Sequence, residues 1–391
     1  MKITFCIPSK NNLRYLKSSI NSIKNNSSAD HDIIVYVDSD NDGTEKWLID
    51  NNIKYLVNES HIPKGIAYAY NRCIELANTE IVCMFHADMY MAKHFDTNIV
   101  KYIKPKTVVA GTRIEPPLHP SGLEKIVENF GTYPEDFDQN SFDDYVDKLL
   151  VENKGKITRG IFAPWAVYKK DIVDIEMHDE SFHSYHEDSD MFNRFILNGY
   201  EMIQTWESYV YHLTCRGGQF QDGIEKTTQD PFFHNMKNNS AKNYLRKWGS
   251  WIKNDEYQHP IIPSKYSIAF VVNNCSEQAL SVLEPWCSEI SSDVNYSEFL
   301  KNEQQNTHFD LMKRVKPWNC KIDSDIIVQF DVNGLTNQSF QLLQQLPQII
   351  KESGEVGEFE LNIFKIKIKK LRPYEDSLIN ATDEFYISQM L

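Results

Sequence analysis

The chain has 391 residues, of which 41% are hydrophobic and 25% are charged. This composition is typical of a folded globular protein with two or three domains, and it excludes a disordered or low-complexity chain. The 41 basic and 55 acidic residues give a formal net charge of −14. Binding to a nucleic-acid backbone needs Lys and Arg side chains that neutralise phosphates, so we expect no nucleic-acid partner.

The cysteines and the apolar runs of the sequence indicate the cellular compartment of the protein. Seven cysteines are scattered along the chain without a C-x-x-C pair, which predicts neither a disulfide framework nor a zinc knuckle. No run of about 18 apolar residues is present, so we predict no transmembrane anchor. The N-terminal apolar run is too short for a signal peptide. We therefore expect a cytoplasmic protein.

Strand and helix patterns alternate along the first hundred residues. Apolar runs at 3–7, 33–37, 54–57 and 81–85 predict strands, the first ended by Pro8, and apolar residues at helical spacing between the strands predict helices. This alternation predicts a mostly parallel sheet covered by helices on both faces. Ligands of such sheets bind at the carboxyl ends of the strands, so polar residues there are the candidates for a site.

The remaining chain predicts a second, smaller unit. Residues 105–212 mix short strands with acidic helices. The prolines at 260 and 263 bracket an extended stretch, which is typical of a linker. We therefore expect a first domain over 1–258, a linker over 259–265, and a C-terminal α/β domain over 266–391.

An acidic loop follows the second predicted strand, from Asp38 to Gly43. Two interpretations of this loop remain open. Asp42 caps the next helix, or Asp38 accepts a hydrogen bond from a nucleobase or a ribose.

Two later strand ends carry imidazole and carboxylate groups. His86-Ala87-Asp88 ends one strand, and a carboxylate there needs a positive partner. A divalent ion carried by a diphosphate would supply it, since Mg²⁺ and Mn²⁺ favour oxygen ligands; capping of a helix by Asp88 is the alternative. His212 ends another strand and has either a ligand role or a structural one. Arg216, next to two glycines, suits a phosphate contact.

The densest cluster of ionisable groups is His-Glu-Asp-Ser-Asp at 186–190, just before an amphipathic helix. Stabilisation of the helix dipole by Glu187 and Asp188 is one explanation. The other is a general base, because clustered like charges raise the pKa of one member.

Taken in chain order, these motifs resemble the family 2 glycosyltransferases of the GT-A fold. The resemblance rests on Ile-Pro-Ser-Lys-Asn at 7–11, the acidic loop at 37–44, the segment from Gly65 to Arg72, His-Ala-Asp at 86–88, the acidic residues at 179–190, His212, and Lys-Trp-Gly at 247–249. It spans residues 1–250 or so, about two thirds of the chain. His86 stands where the family usually has aspartate, and the Asp38 loop is one residue shorter than usual.

The resemblance implies inverting transfer of a sugar from a nucleotide-diphosphate sugar to the hydroxyl of a glycan or another acceptor. It implies a Mn²⁺ or Mg²⁺ ion on Asp88 and His212, and a catalytic group of Asp188, Glu187 and Asp190 with Asp188 as the base. The residues that it assigns to the nucleotide sugar are Pro8, Ser9, Asn11, Asp38, Asp42, Lys64, Gly65, Asn71, His86, Ala87 and Arg216.

Other function classes stay open at this stage. His86 in place of aspartate favours a catalytically inactive module that binds a sugar nucleotide or a glycan, whereas the presence of Asp188 and His212 favours an enzyme. A nucleotidyltransferase is disfavoured because the loop after the first strand contains no glycine. The region 266–391 has no dense His/Asp/Glu cluster, so we expect acceptor binding, dimerisation or assembly from it; a homo-oligomer remains open.

Overall fold

The computed structural model describes residues 1–60, 62–214 and 231–373, which form two compact units. Unit 1 comprises Met1–Met236 with Asn254–Pro260, and unit 2 comprises Lys237–Lys253 with the chain from Ile261 onwards. The division places Lys237–Lys253 in unit 2, whereas the sequence-based boundary keeps this segment in the first domain. The exact limits of the domains stay a prediction.

Unit 1 is built from short strands and helices in alternation. Its strands are β1 (Ile3–Lys10), β2 (Asp32–Ser39), β3 (Lys54–Val57), β4 (Ile81–Met84), β5 (Met89–Met91), β6 (Thr107–Glu115), β7 (Lys125–Val127), β8 (Ile157–Thr158), β9 (Trp165–Tyr168) and β10 (Glu201–His212). Its helices are α1 (Leu13–Asn26), α2 (Thr44–Asp50), α3 (Ile66–Leu76), α4 (Phe95–Val100), α5 (Gln139–Glu152), α6 (Lys169–Asp174) and α7 (Glu187–Leu197). Helix α8 (Pro231–Trp248) begins in unit 1 and continues into unit 2.

The sheet of unit 1 has the strand order β3-β2-β1-β4-β9-β6-β10-β5, with β7 beside β6 and β8 beside β10. Strands β3, β2, β1 and β4 are parallel. Strand β9 is antiparallel to both β4 and β6, and β10 is parallel to β6. The carboxyl ends of β1, β2, β4, β6 and β10 therefore lie along one edge of the sheet. The mostly parallel α/β sheet expected from the sequence is confirmed.

Strand β1 continues through Pro8 to Lys10, which corrects the expectation that Pro8 ends it. The Cys6 carbonyl accepts a hydrogen bond from the N–H of Phe85 on the β4 side. Successive residues of a strand point their backbone groups alternately to its two sides, so the position of Pro8 also faces the β4 side. Strand β4 ends at Met84, so no residue of β4 lies opposite Pro8. The missing N–H of proline therefore costs no hydrogen bond between these strands.

The core of unit 1 fills the space between this sheet and its helices. Leu16, Ile20 and Ile23 recur at helical spacing on α1 and are buried, as the sequence pattern predicts. They pack in one cluster with buried side chains of β1 and β4, such as Phe5 and Val82. Each such side chain contributes about 1.5–3 kcal/mol when fully buried, and this packing fixes the strand ends that carry the polar residues.

Unit 2 contains a second sheet with its own core. Its strands are β11 (Ile268–Asn273), β12 (Glu289–Ser292), β13 (Val315–Pro317), β14 (Ile326–Asp331), β15 (Gly357–Leu361) and β16 (Phe364–Ile368). Its helices after α8 are α9 (Glu277–Leu283), α10 (Ser297–Glu303), α11 (Leu311–Arg314) and α12 (Asn337–Ser353). The strand order is β13-β12-β11-β14-β16-β15, with the first four strands parallel. The smaller α/β unit expected from the sequence is confirmed.

The last two strands of unit 2, β15 and β16, form an antiparallel hairpin. The chain turns at Asn362, whose φ of 56° lies in the left-handed region that asparagine tolerates. Among the described residues, no helix has the length and apolar character needed to cross a membrane.

Candidate metal and catalytic site

Three potential metal ligands meet at the carboxyl edge of the sheet in unit 1. His86 and Asp88 lie in the turn between β4 and β5, and His212 is the last residue of β10. The antiparallel pairing of β5 with β10 places Met89 opposite His212, and the N–H of Leu213 donates to the Asp88 carbonyl at 2.9 Å. One ligand atom from each of the three side chains lies within 4.8 Å of the others.

The two ring nitrogens of His212 have different environments. Nδ1 lies 2.8 Å from Oε1 of Glu115, whereas Nε2 lies 3.4 Å from Oδ1 of Asp88. Nε2 is buried and has no hydrogen-bond partner in the part of the chain that the structure describes. Burial opposes a charge on this ring, but the Asp88 and Glu115 carboxylates raise the pKa of His212 to about 9. Burial and the neighbouring His212 lower the pKa of His86 to about 4.

This arrangement fits a divalent cation. His86, Asp88 and His212 each offer one ligand atom to a cation, and a metal ion on Nε2 of His212 would take the place of the proton there. Imidazole ligands suit Mn²⁺ and other transition ions, whereas Mg²⁺ is held mainly by oxygen. His86, to which the sequence assigned a nucleotide contact, lies among the potential ligands together with Asp88 and His212.

A pair of carboxylates begins helix α7. Glu187 and Asp188 are partly exposed, and Oδ1 of Asp188 accepts a hydrogen bond of 2.6 Å from the N–H of Ser189. Burial raises the pKa of Asp188 against that hydrogen bond, and burial together with Asp188 raises the pKa of Glu187 well above its usual value. The residues before the helix, Tyr185 and His186, have φ of 65° and 73°. Such strained backbone is typical of functional sites.

Asp190 has a different environment from the other two acids. It is fully buried, and its Oδ2 accepts a hydrogen bond of 2.8 Å from Nε of Arg194 one turn later. The same guanidinium donates to the carbonyls of Ile175 and Met177 at 2.6 and 2.5 Å. This buried clamp fixes α7 to the preceding turn and thereby sets the position of the acids at its N-terminus.

Arg113 of β6 lies beside the carboxylate that contacts His212. Its guanidinium is 3.4 Å from carboxylate oxygens of Glu115 and Glu124. Burial raises the pKa of Asp188, and the positive charge of Arg113 opposes that rise.

The Asp38 carboxylate organises the loop before helix α3. Oδ1 accepts from the N–H of Lys64 at 2.7 Å and from the amide of Asn58 at 3.0 Å, and Oδ2 accepts from the N–H of Gly65 at 3.1 Å. Gly65 has φ of 88°, and a Cβ there would lie 1.9 Å from the His183 carbonyl oxygen. Only glycine fits this close approach, which joins the segment before α7 to the start of α3.

Two aspartates of the acidic loop accept hydrogen bonds at the start of helix α2. Asp40 accepts hydrogen bonds from the N–H groups of Gly43, Thr44 and Glu45 at 2.8–2.9 Å, and these bonds lower the pKa of Asp40 although burial opposes them. Asp42 accepts from the N–H of Thr44 at 3.3 Å and from its hydroxyl at 2.6 Å, and its other oxygen accepts from the N–H of Leu13 at 2.8 Å. Asp42 therefore takes part in capping α2, as the sequence suggests, and Asp40 supplies more of the hydrogen bonds.

Three of the other residues assigned to the nucleotide sugar form hydrogen bonds within the protein. Ser9 Oγ donates to Asn12 at 2.6 Å, and Asn11 Oδ1 accepts from the N–H of Asn41 at 2.8 Å. Asn71 is buried and forms two hydrogen bonds of 2.9 Å with the backbone of His178, so its amide is occupied. Pro8 lies within β1, Ala87 is buried between the two potential ligands, and Arg216 lies outside the described residues.

The family is decided by a match over residues 4–174, which fit the family model "Glycosyl transferase family 2". Residues 4–174 form a family 2 glycosyl transferase domain. The family expected from the sequence is confirmed for these residues, and the mostly parallel sheet agrees with the expected GT-A fold. Among curated proteins, none matches this sequence.

Solved structures resemble the family 2 domain at low identity. The structure of GalNAc-T7 with UDP, GalNAc and Mn²⁺ has a TM-score of 0.44 and 12% identity, over 63% of this chain and 48% of that chain. Staphylococcus aureus TarS 1–349 with UDP has a TM-score of 0.40 and 12% identity, over 63% of this chain and 80% of that one. TarS with UDP-GlcNAc has a TM-score of 0.41 and 14% identity, over 63% and 67%. The match spans about half the length of GalNAc-T7.

Sequence reasoning missed two charged residues of the family 2 domain, Arg113 and Glu115. Both lie on β6 two positions apart, and their side chains therefore point to the same face of the sheet. The signal in the sequence is a pair of opposite charges at the end of the apolar run that begins at Thr107. This signal is weaker than the denser acidic clusters elsewhere in the chain.

Proposed function

We propose that the family 2 domain transfers a sugar, with inversion, from a nucleotide-diphosphate sugar to the hydroxyl of an acceptor. The observation that carries this proposal is the buried Nε2 of His212, which lies 3.4 Å from Asp88 within a group of three potential metal ligands, together with the pair of acids that begins α7. The potential metal ligands suit the departing diphosphate, and the acid pair at the start of α7 suits the attacking hydroxyl. The family membership of the domain supports this reaction class.

His86, Asp88 and His212 would hold a divalent ion, with Mn²⁺ as the best match to two imidazoles and one carboxylate. Such an ion supplies Lewis-acid stabilisation of the negative charge on the leaving diphosphate. Arg113 adds a fixed positive charge next to these ligands, where the diphosphate develops its charge.

Asp188 is the proposed general base. As the acceptor oxygen forms its bond to the anomeric carbon, the bond from that carbon to the diphosphate oxygen breaks on the opposite face, and the hydroxyl proton passes to Asp188. A raised pKa makes a carboxylate a better proton acceptor, and burial supplies that shift here. Burial and the Asp188 charge raise the pKa of the neighbouring Glu187. Asp190 acts as a positioning residue through Arg194.

The nucleoside is proposed to bind beside β1 and β2. A carboxylate has about four acceptor positions, and the hydrogen bonds from Asn58, Lys64 and Gly65 occupy three of those on Asp38. The remaining position on Oδ2 is available to a base or ribose donor. Pro8, Ser9 and Asn11 form the adjacent strand end, and Arg216 stays a proposed phosphate contact.

A screen of UDP-, GDP- and dTDP-sugars tests this function by measuring release of the nucleoside diphosphate with Mn²⁺ and with EDTA. We expect release from donors of one base, dependent on Mn²⁺ and strongly reduced in Asp188→Asn. Proton NMR of the product anomeric centre then reports inversion or retention. If the native protein and Asp188→Asn bind the donor equally tightly and neither releases a nucleoside diphosphate, the inactive binding module is favoured instead.

A further inference from the structure

We infer that Glu115 is a positioning residue that orients His212 for metal binding. This inference rests on the proposed function, because it assigns a role toward the divalent ion. It concerns a residue that no sequence motif singled out, and it follows from how the two carboxylate oxygens of Glu115 are used.

Glu115 stands beside His212 because of the register between β6 and β10. These strands are parallel and pair Tyr211 with Ile114, so the next residue of each strand, His212 and Glu115, are neighbours at the carboxyl edge. Glu115 is 2% exposed. Its Oε1 lies 2.8 Å from Nδ1 of His212, and its Oε2 accepts a hydrogen bond of 2.8 Å from Nζ of Lys125.

The side-chain contacts of Glu115 do different things. Lys125 on Oε2, together with Arg113 at 3.4 Å from Oε1, compensates the buried negative charge and holds the carboxylate in place. Oε1 then fixes the ring of His212 with Nδ1 directed to Glu115 and Nε2 directed to Asp88. A carboxylate that accepts from one ring nitrogen sets the ring orientation and increases the basicity of the other nitrogen, which strengthens its bond to a metal ion.

A second histidine–carboxylate pair in unit 1 shows what a purely structural pair looks like. Nε2 of His31 lies 2.9 Å from Asp96, and its Nδ1 accepts a hydrogen bond from the N–H of Ile3 at 3.3 Å. Both ring nitrogens of His31 are therefore occupied by protein groups. In His212, within the described residues, the nitrogen that faces Glu115 has a hydrogen bond, whereas the other has none and faces the candidate metal ligands.

The inference is tested by the Mn²⁺ affinity of the full chain, measured by calorimetric titration and by the EPR signal of free Mn²⁺. We expect Glu115→Gln to weaken Mn²⁺ binding by about 10–100-fold, the usual effect of removing the carboxylate partner of a metal-binding histidine.

The matched control is Glu207→Gln on the same strand as His212. Glu207 is 6% exposed and pairs with Lys101 at 2.8 Å, and it is not among the potential ligands or their partners. Its variant should retain native Mn²⁺ affinity.

The thermal midpoint of the metal-free protein is measured for both variants. The inference is supported if Glu115→Gln loses Mn²⁺ affinity and Glu207→Gln does not, while the two variants lose comparable stability. If Glu115→Gln does not fold, Glu115→Asp replaces it, because the shorter side chain keeps the buried charge near Lys125 but withdraws the oxygen from Nδ1. Native affinity in a folded Glu115 variant overturns the inference and leaves the proposed metal role intact. Absence of Mn²⁺ binding by the native chain overturns both.

Discussion

At the scale of single residues, environment separates carboxylates that look equivalent in the sequence. Asp188 and Asp190 are two positions apart in one acidic cluster. Asp190 is fully buried against a guanidinium, whereas Asp188 is partly exposed and receives a hydrogen bond from the Ser189 backbone. The carboxylate of Asp190 is occupied by this buried ion pair, so of these two residues Asp188 is the better match to the proposed base.

Replacement of Asp188 by Asn is expected to reduce turnover by about 10²–10⁴-fold with nearly native donor affinity, because a positioned general base contributes that much. The base works in its ionised form, and burial raises the pKa of Asp188. The rate should therefore fall as the pH drops through an apparent pKa above the ordinary aspartate value, and steady-state kinetics across pH measures this. The paired control is Asp190→Asn, which strands the buried Arg194 charge and should cost about 3–5 kcal/mol of stability. Normal turnover of Asp188→Asn would contradict the assignment.

Replacement of Asp88 by Ala is expected to abolish metal-dependent donor binding, since it removes the carboxylate that Nε2 of His212 faces. In the native chain, Mn²⁺ should support binding at lower concentrations than Mg²⁺, because two of the three potential ligands are imidazoles. Calorimetric titration of a nucleoside diphosphate with each metal and with EDTA measures both effects. Activity that survives a chelator would show that the domain works without the ion.

At the scale of strands, helices and loops, the sequence predicts the apolar runs well because burial forces them. The strands around Phe5, Val35 and Val82 are buried in one cluster, as the pattern requires. The sequence could not predict the insertion of β9 between β4 and β6, because strand order depends on contacts distant in the chain. For the same reason the pairing of Glu115 with His212 was not predictable, since 97 positions separate them.

Replacement of Asp38 by Ala should disturb the loop over 58–65 and weaken binding of a free nucleoside diphosphate. The change leaves the N–H groups of Lys64 and Gly65 without their acceptor, which costs about 1–3 kcal/mol when such groups are buried. Titration calorimetry and urea unfolding measure the two effects. Asp42→Ala is the control within the same loop, because the hydrogen bonds of Asp42 go to Leu13 and Thr44 rather than to the loop over 58–65. Unchanged nucleotide affinity of Asp38→Ala across a panel of bases would refute the assignment.

At the scale of the whole molecule, helix α8 bears on where the second domain begins. Arg246 on this helix donates to Glu284 at 2.7 Å and to Glu303 at 2.6 Å, and all three lie in unit 2. Arg314 also donates to Glu284, at 2.5 Å. Burial opposes the charge on Glu284, but the two guanidinium groups lower its pKa to about 2. Leu245, next to Arg246, belongs to the apolar core of the same unit.

A chain that begins at Lys237 is therefore expected to fold by itself, whereas one that begins at Tyr266 should be much less stable. The shorter chain lacks Arg246, and removing one partner of a buried ion pair costs about 3–5 kcal/mol. Since domains of this size are stable by about 5–15 kcal/mol, that loss alone is a large share of the total. Calorimetric melting of the two chains measures the difference, and Arg246→Ala in the longer chain should reproduce much of it. Equal midpoints would place the boundary at 259–265, where the sequence puts it, and would show that α8 is not part of the second domain.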